Sequence, residues 1–314
     1  MRSRPVPAAV AARLAACELA RHPAEEALLP PVLGFLPTRE LLRLALASRQ
    51  QLSAVLTCED VWCERVEDDF GGNLERARCW AQRSEGSARE LHRRLAELRR
   101  AFRDAVVIVQ GDLCTVPRTA SRTVDAIVCP AVPSCGPYGP CAVAVHRAAG
   151  PALDTYLQTT ALPAVGGRVR VGQAIATPSF ELEGVHTIVH AVGPTWQFDE
   201  EDQRRLLRQA YESACRALEA SPAGPVRCAA TASISTGGNG MSPEVAAPIA
   251  LAVLRDAVCF GSLECIYVVT LERSFRGKFE EIRRTMLERF NEDPSVPDDA
   301  NSSDGLSGGE WESE

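Results

Sequence analysis

Residues 124–150 read VDAIVCPAVPSCGPYGPCAVAVHRAAG, and their order decides the fold. The first eight are apolar and β-rich, which predicts a buried strand over 124–131. A loop marked by Gly136, Pro137, Gly139 and Pro140 follows, and then a helical segment that ends at Gly150. Four more β-rich runs flank this unit, at 105–113, 185–192, 226–235 and 264–271. Helical patterns fall at 199–220, 243–259 and 277–290. Strands alternating with helices over 105–290 predict an α/β fold, a mixed sheet with helices on both faces. In such a sheet ligands bind beyond the carboxyl ends of the strands.

The flanks differ in composition. Residues 1–104 are helical in pattern throughout, and SARELHRRLAELRRAF (87–102) places Leu91, Leu95, Leu98 and Phe102 along one face. Residues 291–314 carry eight acids and no base, so they are expected to form a disordered acidic tail. The net charge of −7 over 314 residues therefore belongs to the tail, and the remainder holds 34 bases against 33 acids. That balance argues against direct nucleic-acid binding. No apolar run reaches membrane-spanning length, so no membrane partner is expected. Of the 34 bases only Lys278 is a lysine.

The 12 cysteines form no C-x-x-C pair, and the sequence has no zinc-finger spacing. Free thiols in a reducing compartment follow, which implies an intracellular chain in the cytoplasm or nucleus. His186 and His190 are four apart, but VHTIVHAV reads as a strand, so no metal site is expected there. No cofactor is expected either.

Three strand-end loops carry chemistry. Gly111-Asp112-Leu113 offers a carboxylate for an exocyclic amine. The loop over Gly136–Cys141 leads into a helix whose N–H groups suit phosphate, and Ser235-Thr236-Gly237-Gly238-Asn239-Gly240 makes a second such cradle.

These elements resemble the macrodomain, an ADP-ribose-binding module, over about 185 residues. The resemblance runs through Gly111–Leu113, VDAIV (124–128), His146–Gly150, GQAIATPSF (172–180), HTIVHAVGP (186–194) and Ile234–Gly237. It implies that Asp112 and Leu113 hold adenine. Gly136, Gly139 and Cys141, with Ser235, Thr236, Gly237, Gly238, Asn239 and Gly240, would clamp the diphosphate. The ligand so implied is ADP-ribose or an ADP-ribosylated protein. The chain departs from the family at Val132, where an Asn would meet the distal ribose, and at Ala142, where many hydrolytic members carry an acid. Asn239 replaces the usual aromatic. Neither Val132 nor Ala142 can position a water, and Cys129 and Cys141 have no evident base, so no catalytic residue is expected. His146 reads as a scaffold residue. The alternatives are a hydrolase with rearranged catalysis and an interaction scaffold with a degenerate pocket.

Upstream, LLPPVLGFLP (28–37) leads into a leucine-rich helix capped by Thr38, then Ser48-Arg49, Trp62 and Asp69-Phe70-Gly71. This order resembles an F-box. The resemblance implies an all-α module over 27–71, with Leu29, Pro30, Leu33, Leu36 and Leu41 contacting the Skp-type adaptor of a cullin–RING ubiquitin ligase. The implied organisation is an N-terminal segment (1–26), the F-box-like module (27–71), a helical linker (72–104), the macrodomain-like unit (105–290) and the tail (291–314).

Overall fold

The computed structural model describes residues 58–82, 85–196 and 200–295. It divides into two compact units, one ending at Glu97 and joined by Glu288–Asn291, the other running from Leu98 to Leu287 and resuming at Glu292. The division falls inside the expected linker. A single helix, α3 (Ala88–Ala105), crosses that point without a break.

In the first unit, α1 (Glu59–Phe70) and α2 (Leu74–Trp80) precede α3. Gly71 ends α1 at φ 72°, a conformation suited to glycine, and the Asn73 side chain caps α2 by accepting from the Arg76 N–H at 2.8 Å. The core is aromatic: Trp62 and Phe70 meet the His92 ring edge-on at 5.2 and 5.1 Å, and His92 Nε2 lies 2.8 Å from Asp69 Oδ2. Trp62 and Asp69–Phe70 of the F-box-like pattern thus fall within α1. Leu29, Pro30, Leu33, Leu36 and Leu41 lie outside the described residues.

The second unit is built on six strands: β1 (Val106–Gln110), β2 (Ala126–Ala131), β3 (Ala174–Pro178), β4 (Thr187–Val192), β5 (Cys228–Ala232) and β6 (Cys265–Thr270). Their order is β1-β6-β5-β2-β4-β3, parallel except for β3, which pairs antiparallel to β4. The mixed sheet is as the residues predict. β4 and β6 are buried at every position, which explains their unbroken apolar sequence. β3 was not predicted as a strand: its Gly- and Pro-bounded AIATP lacks alternation, and an edge position tolerates the Pro178 at its end.

One face carries α7 (Glu200–Glu219) and α8 (Pro243–Phe260), packed on each other. Leu207, Ala210, Tyr211, Ala214 and Leu218 form the buried stripe of α7, while α8 is buried nearly all round. The other face carries α4 (Val116–Thr119), α5 (Pro140–Ala149) and α6 (Pro151–Tyr156), the last running on through a π-helical turn, Leu157–Ala161. Its core joins Ile127, Cys129, Val145, Leu153 and Ile188. α9 (Arg273–Glu288) closes the chain of elements.

The first residues of the expected tail belong to the fold. Arg255 Nη1 donates to the Glu292 carbonyl oxygen at 2.7 Å, and Arg208 pairs with Asp293 at 2.6 Å, so the chain up to Ser295 is part of the fold. The buried Arg255 and the half-buried Arg208 recruit these residues despite their polar sequence. Residues 296–314 lie outside the described residues.

Candidate functional site

The carboxyl ends of β1, β6, β5 and β2, four parallel neighbours, open into one cavity of about 610 Å³. Asp112 enters it from the end of β1, Val132 from β2, Ser233 from β5 and Glu272 from β6. This is the edge where strand-end loops and helix starts converge.

Asp112 is held by its own turn. Its backbone carbonyl accepts from the Thr115 and Val116 N–H groups at 3.0 and 3.1 Å, and its Oδ1 accepts from the Cys114 N–H at 2.7 Å. Oδ2 has no hydrogen-bond partner among the described residues. Phe275, half-buried in the first turn of α9, lines the same cavity.

The loop after β5 is tied down from several sides. The Ile234 N–H donates to the Tyr211 hydroxyl at 2.9 Å, and burial pushes that phenol up to about 12, so it remains a neutral partner. Ser235, at φ 66°, donates through Oγ to the Pro194 carbonyl oxygen at 2.7 Å. Asn239 Nδ2 donates to the same oxygen at 3.0 Å, and the Asn239 carbonyl accepts from the Trp196 N–H at 2.7 Å. Among the described residues, the N–H groups of Thr236, Gly237 and Gly238 make no hydrogen bond, and all three residues line the cavity. A second set of free donors comes from α5. Gly139 takes φ 84° ahead of Pro140, and the first-turn N–H groups of Cys141 and Ala142 have no partner within the helix. Among the described residues, the charged side chains lining the cavity are Asp112 and Glu272, both acids. An anion here would be held by backbone dipoles rather than by Arg or Lys.

Comparison with known proteins places this geometry. A family model described as Macro domain matches residues 130–250. An O-acetyl-ADP-ribose deacetylase of Salmonella gallinarum is 33% identical over 163 residues, covering 52% of this chain and 84% of that protein. The enzyme of the same name from Escherichia coli is 32% identical over 177 residues, 56% of this chain and 93% of that protein. The chain belongs to the macro domain family. A macro domain-containing protein of Ralstonia nicotianae is 40% identical over 113 residues, and the chain spans 60% of its length. Among solved structures, an Oceanobacillus iheyensis macrodomain with ADP superposes with a TM-score of 0.53 at 27% identity, over 60% of this chain and 95% of that one.

Most of the residues singled out by sequence gather on this cavity of the macro domain. Asp112, Leu113, Gly139, Cys141 and the run Ser235–Asn239 line it. Gly136 and Gly240 do not. Gly136 lies under the exposed Tyr138 ring, and Gly240 closes its turn by donating to the Gly237 carbonyl oxygen at 2.9 Å. Val132 and Ala142 are in the lining, and Ala142 is 2% exposed. His146 faces the scaffold, with Nδ1 2.6 Å from Asp154 Oδ1. Phe275, Leu271 and Glu272 were not anticipated from sequence. The predicted helix begins at 277, whereas α9 begins at Arg273, so an aromatic in its first turn went unread.

Proposed function

We propose that the macro domain of this chain binds ADP-ribose, free or attached to protein, without hydrolysing it. The observation that carries the reading is the pairing of a carboxylate with unused N–H donors in one cavity. Asp112 Oδ2 and the neighbouring Phe275 ring suit an adenine edge and face. The N–H groups of Thr236, Gly237 and Gly238, with the start of α5, suit a diphosphate. The names of the relatives supply the ligand class. Absence of hydrolysis rests on the apolar side chains of Val132 and Ala142, neither of which can orient a water.

Isothermal titration with ADP-ribose tests binding. Saturable heat that weakens in Asp112→Asn is expected, and no heat at millimolar ligand would refute it. The relatives named O-acetyl-ADP-ribose deacetylase favour a second reading, hydrolysis by another arrangement. Acetate release from O-acetyl-ADP-ribose under single-turnover conditions would establish that reading instead.

The adaptor role rests on the sequence pattern of residues 27–71 alone. If that module docks on a Skp-type adaptor, co-purification is lost in Leu36→Glu, and retention counts against it.

A further inference from the structure

We propose that Tyr138 and the exposed face of α5 dock an acidic polypeptide segment that carries the ADP-ribose, so that an ADP-ribosylated acidic sequence binds better than the free nucleotide. The proposal rests on the ADP-ribose reading and names the carrier.

The lateral order of the strands gives the ligand a direction. Asp112 and Phe275 follow β1 and β6, the free N–H groups of Thr236, Gly237 and Gly238 follow β5, and Val132 follows β2. Neighbouring strands lie about 4.8 Å apart, so β1 to β2 covers about 14 Å. A nucleotide with its base over β1 and its diphosphate over β5 sets its distal ribose beside β2. It does not run on over β4. Gly193 and Pro194, which follow β4, are buried and have no share of the cavity. The Pro194 carbonyl oxygen ties that loop to Ser235 Oγ and Asn239 Nδ2 at 2.7 and 3.0 Å. A polypeptide attached to the distal ribose therefore leaves past Tyr138 and the start of α5.

That path is prepared for a chain. Tyr138 is 67% exposed and lines the cavity. Its turn is fixed: the buried Cys135 donates its N–H to the Val132 carbonyl oxygen at 2.8 Å, and the Tyr138 N–H donates to the Gly136 carbonyl oxygen at 2.8 Å. Pro137 and Pro140 restrict the backbone on either side. An aromatic ring presented by a rigid turn gives up little freedom on binding. Pro140, Val143 and Arg147 are all exposed and stand at helical spacing, a stripe that continues from Tyr138 along α5.

Arg147 sets the charge of the partner. Among the described residues it makes no hydrogen bond or ion pair, and the Asp154 carboxylate of α6 is bonded to the neighbouring His146 at 2.6 Å. A guanidinium beside apolar side chains suits a carboxylate. The acids of the cavity, Asp112 and Glu272, stand at the β1–β6 end, away from this exit. From Pro140 to Arg147 the helix rises about 10 Å, which an extended chain covers in about three residues. The partner's acid therefore lies about three residues from its modified side chain.

Calorimetric titration of the full chain with three probes tests this. They are free ADP-ribose, a serine-linked ADP-ribosyl peptide with glutamates three and four residues to either side of the serine, and the same peptide with lysines there. The glutamate peptide is expected to bind roughly tenfold tighter than free ADP-ribose, and the lysine peptide no tighter. The gain should shrink as salt is raised, since the charge pair lies at the surface. Arg147→Glu should abolish the gain and favour the lysine peptide, with affinity for free ADP-ribose unchanged, which also shows the variant to be folded. Equal affinity for the glutamate peptide and free ADP-ribose, a gain shared by the lysine peptide, or a gain retained in Arg147→Glu overturns the proposal and leaves the ADP-ribose reading standing. No binding of any probe overturns both.

Discussion

Gly193 and Ser235 stand so close that a Cβ on the glycine would lie 2.3 Å from the serine Oγ, which is itself bonded to the carbonyl oxygen of Pro194. Ile234 Cγ2 would lie 2.4 Å from that same Cβ. The loop after β4 and the loop after β5 approach to this distance only because residue 193 has no side chain. Gly193→Ala is expected to destabilise the chain by about 1–3 kcal/mol, the usual cost of overpacking. Urea unfolding measures this, and an unchanged midpoint would show that the two loops give way freely.

Asp112 has two jobs that one substitution separates. Oδ1 holds the Cys114 N–H, and Asp112→Asn keeps that acceptor while replacing the opposite oxygen with a donor. A hydrogen bond to a charged group contributes about 1.5–3 kcal/mol, so ADP-ribose affinity should fall roughly tenfold to a hundredfold. Thermal stability should stay close to that of the native chain. Titration calorimetry and a melting curve read the two effects independently.

Val132 presents an apolar side chain to the cavity where a polar one could meet a ribose hydroxyl. Val132→Asn is expected to tighten ADP-ribose binding by roughly fivefold, from one added hydrogen bond of about 1 kcal/mol. It should not yield acetate release from O-acetyl-ADP-ribose, because Ala142 still supplies no acid. Unchanged binding in this variant would mean that the ligand leaves residue 132 uncontacted.

His190 is buried in β4 with Nε2 3.1 Å from Thr177 Oγ1, its ring 6.2 Å from that of His146, which in turn is bonded to Asp154. Burial, reinforced by His146, lowers the His190 pKa to about 3. The unfolded chain binds a proton below about 6.5 that the folded chain refuses, so stability falls as pH drops from 6.5 toward 3. Unfolding midpoints at pH 7 and pH 5 should show this loss. In His190→Gln the difference between the two should shrink, and an equal difference in both proteins would assign the effect to other groups.

The repeating pattern of buried strands and amphipathic helices was legible because it is local. Five of the six strands, and α7 and α8, follow from apolar spacing alone. β3 escaped because an edge strand needs neither burial on both faces nor regular alternation. The site was partly legible for the same reason: Asp112 and the run Ser235–Asn239 carry turn and phosphate-loop chemistry in their own neighbourhoods. Phe275 was not, since its relevance depends on β6 lying beside β1.

The sequence by itself determined that the second unit is α/β, that glycine-containing turns follow its strands, and that residues 132 and 142 carry apolar side chains. Only the tertiary structure decided that four of those ends form one cavity. It also drew Glu292 and Asp293 into the fold. Hydrophobic period specifies which face of each element is buried, and that information lies within a few residues. The lateral order β1-β6-β5-β2-β4-β3 joins segments far apart in the chain. It is selected by the packing of all the elements at once, and the contacts that define the site appear only after that selection.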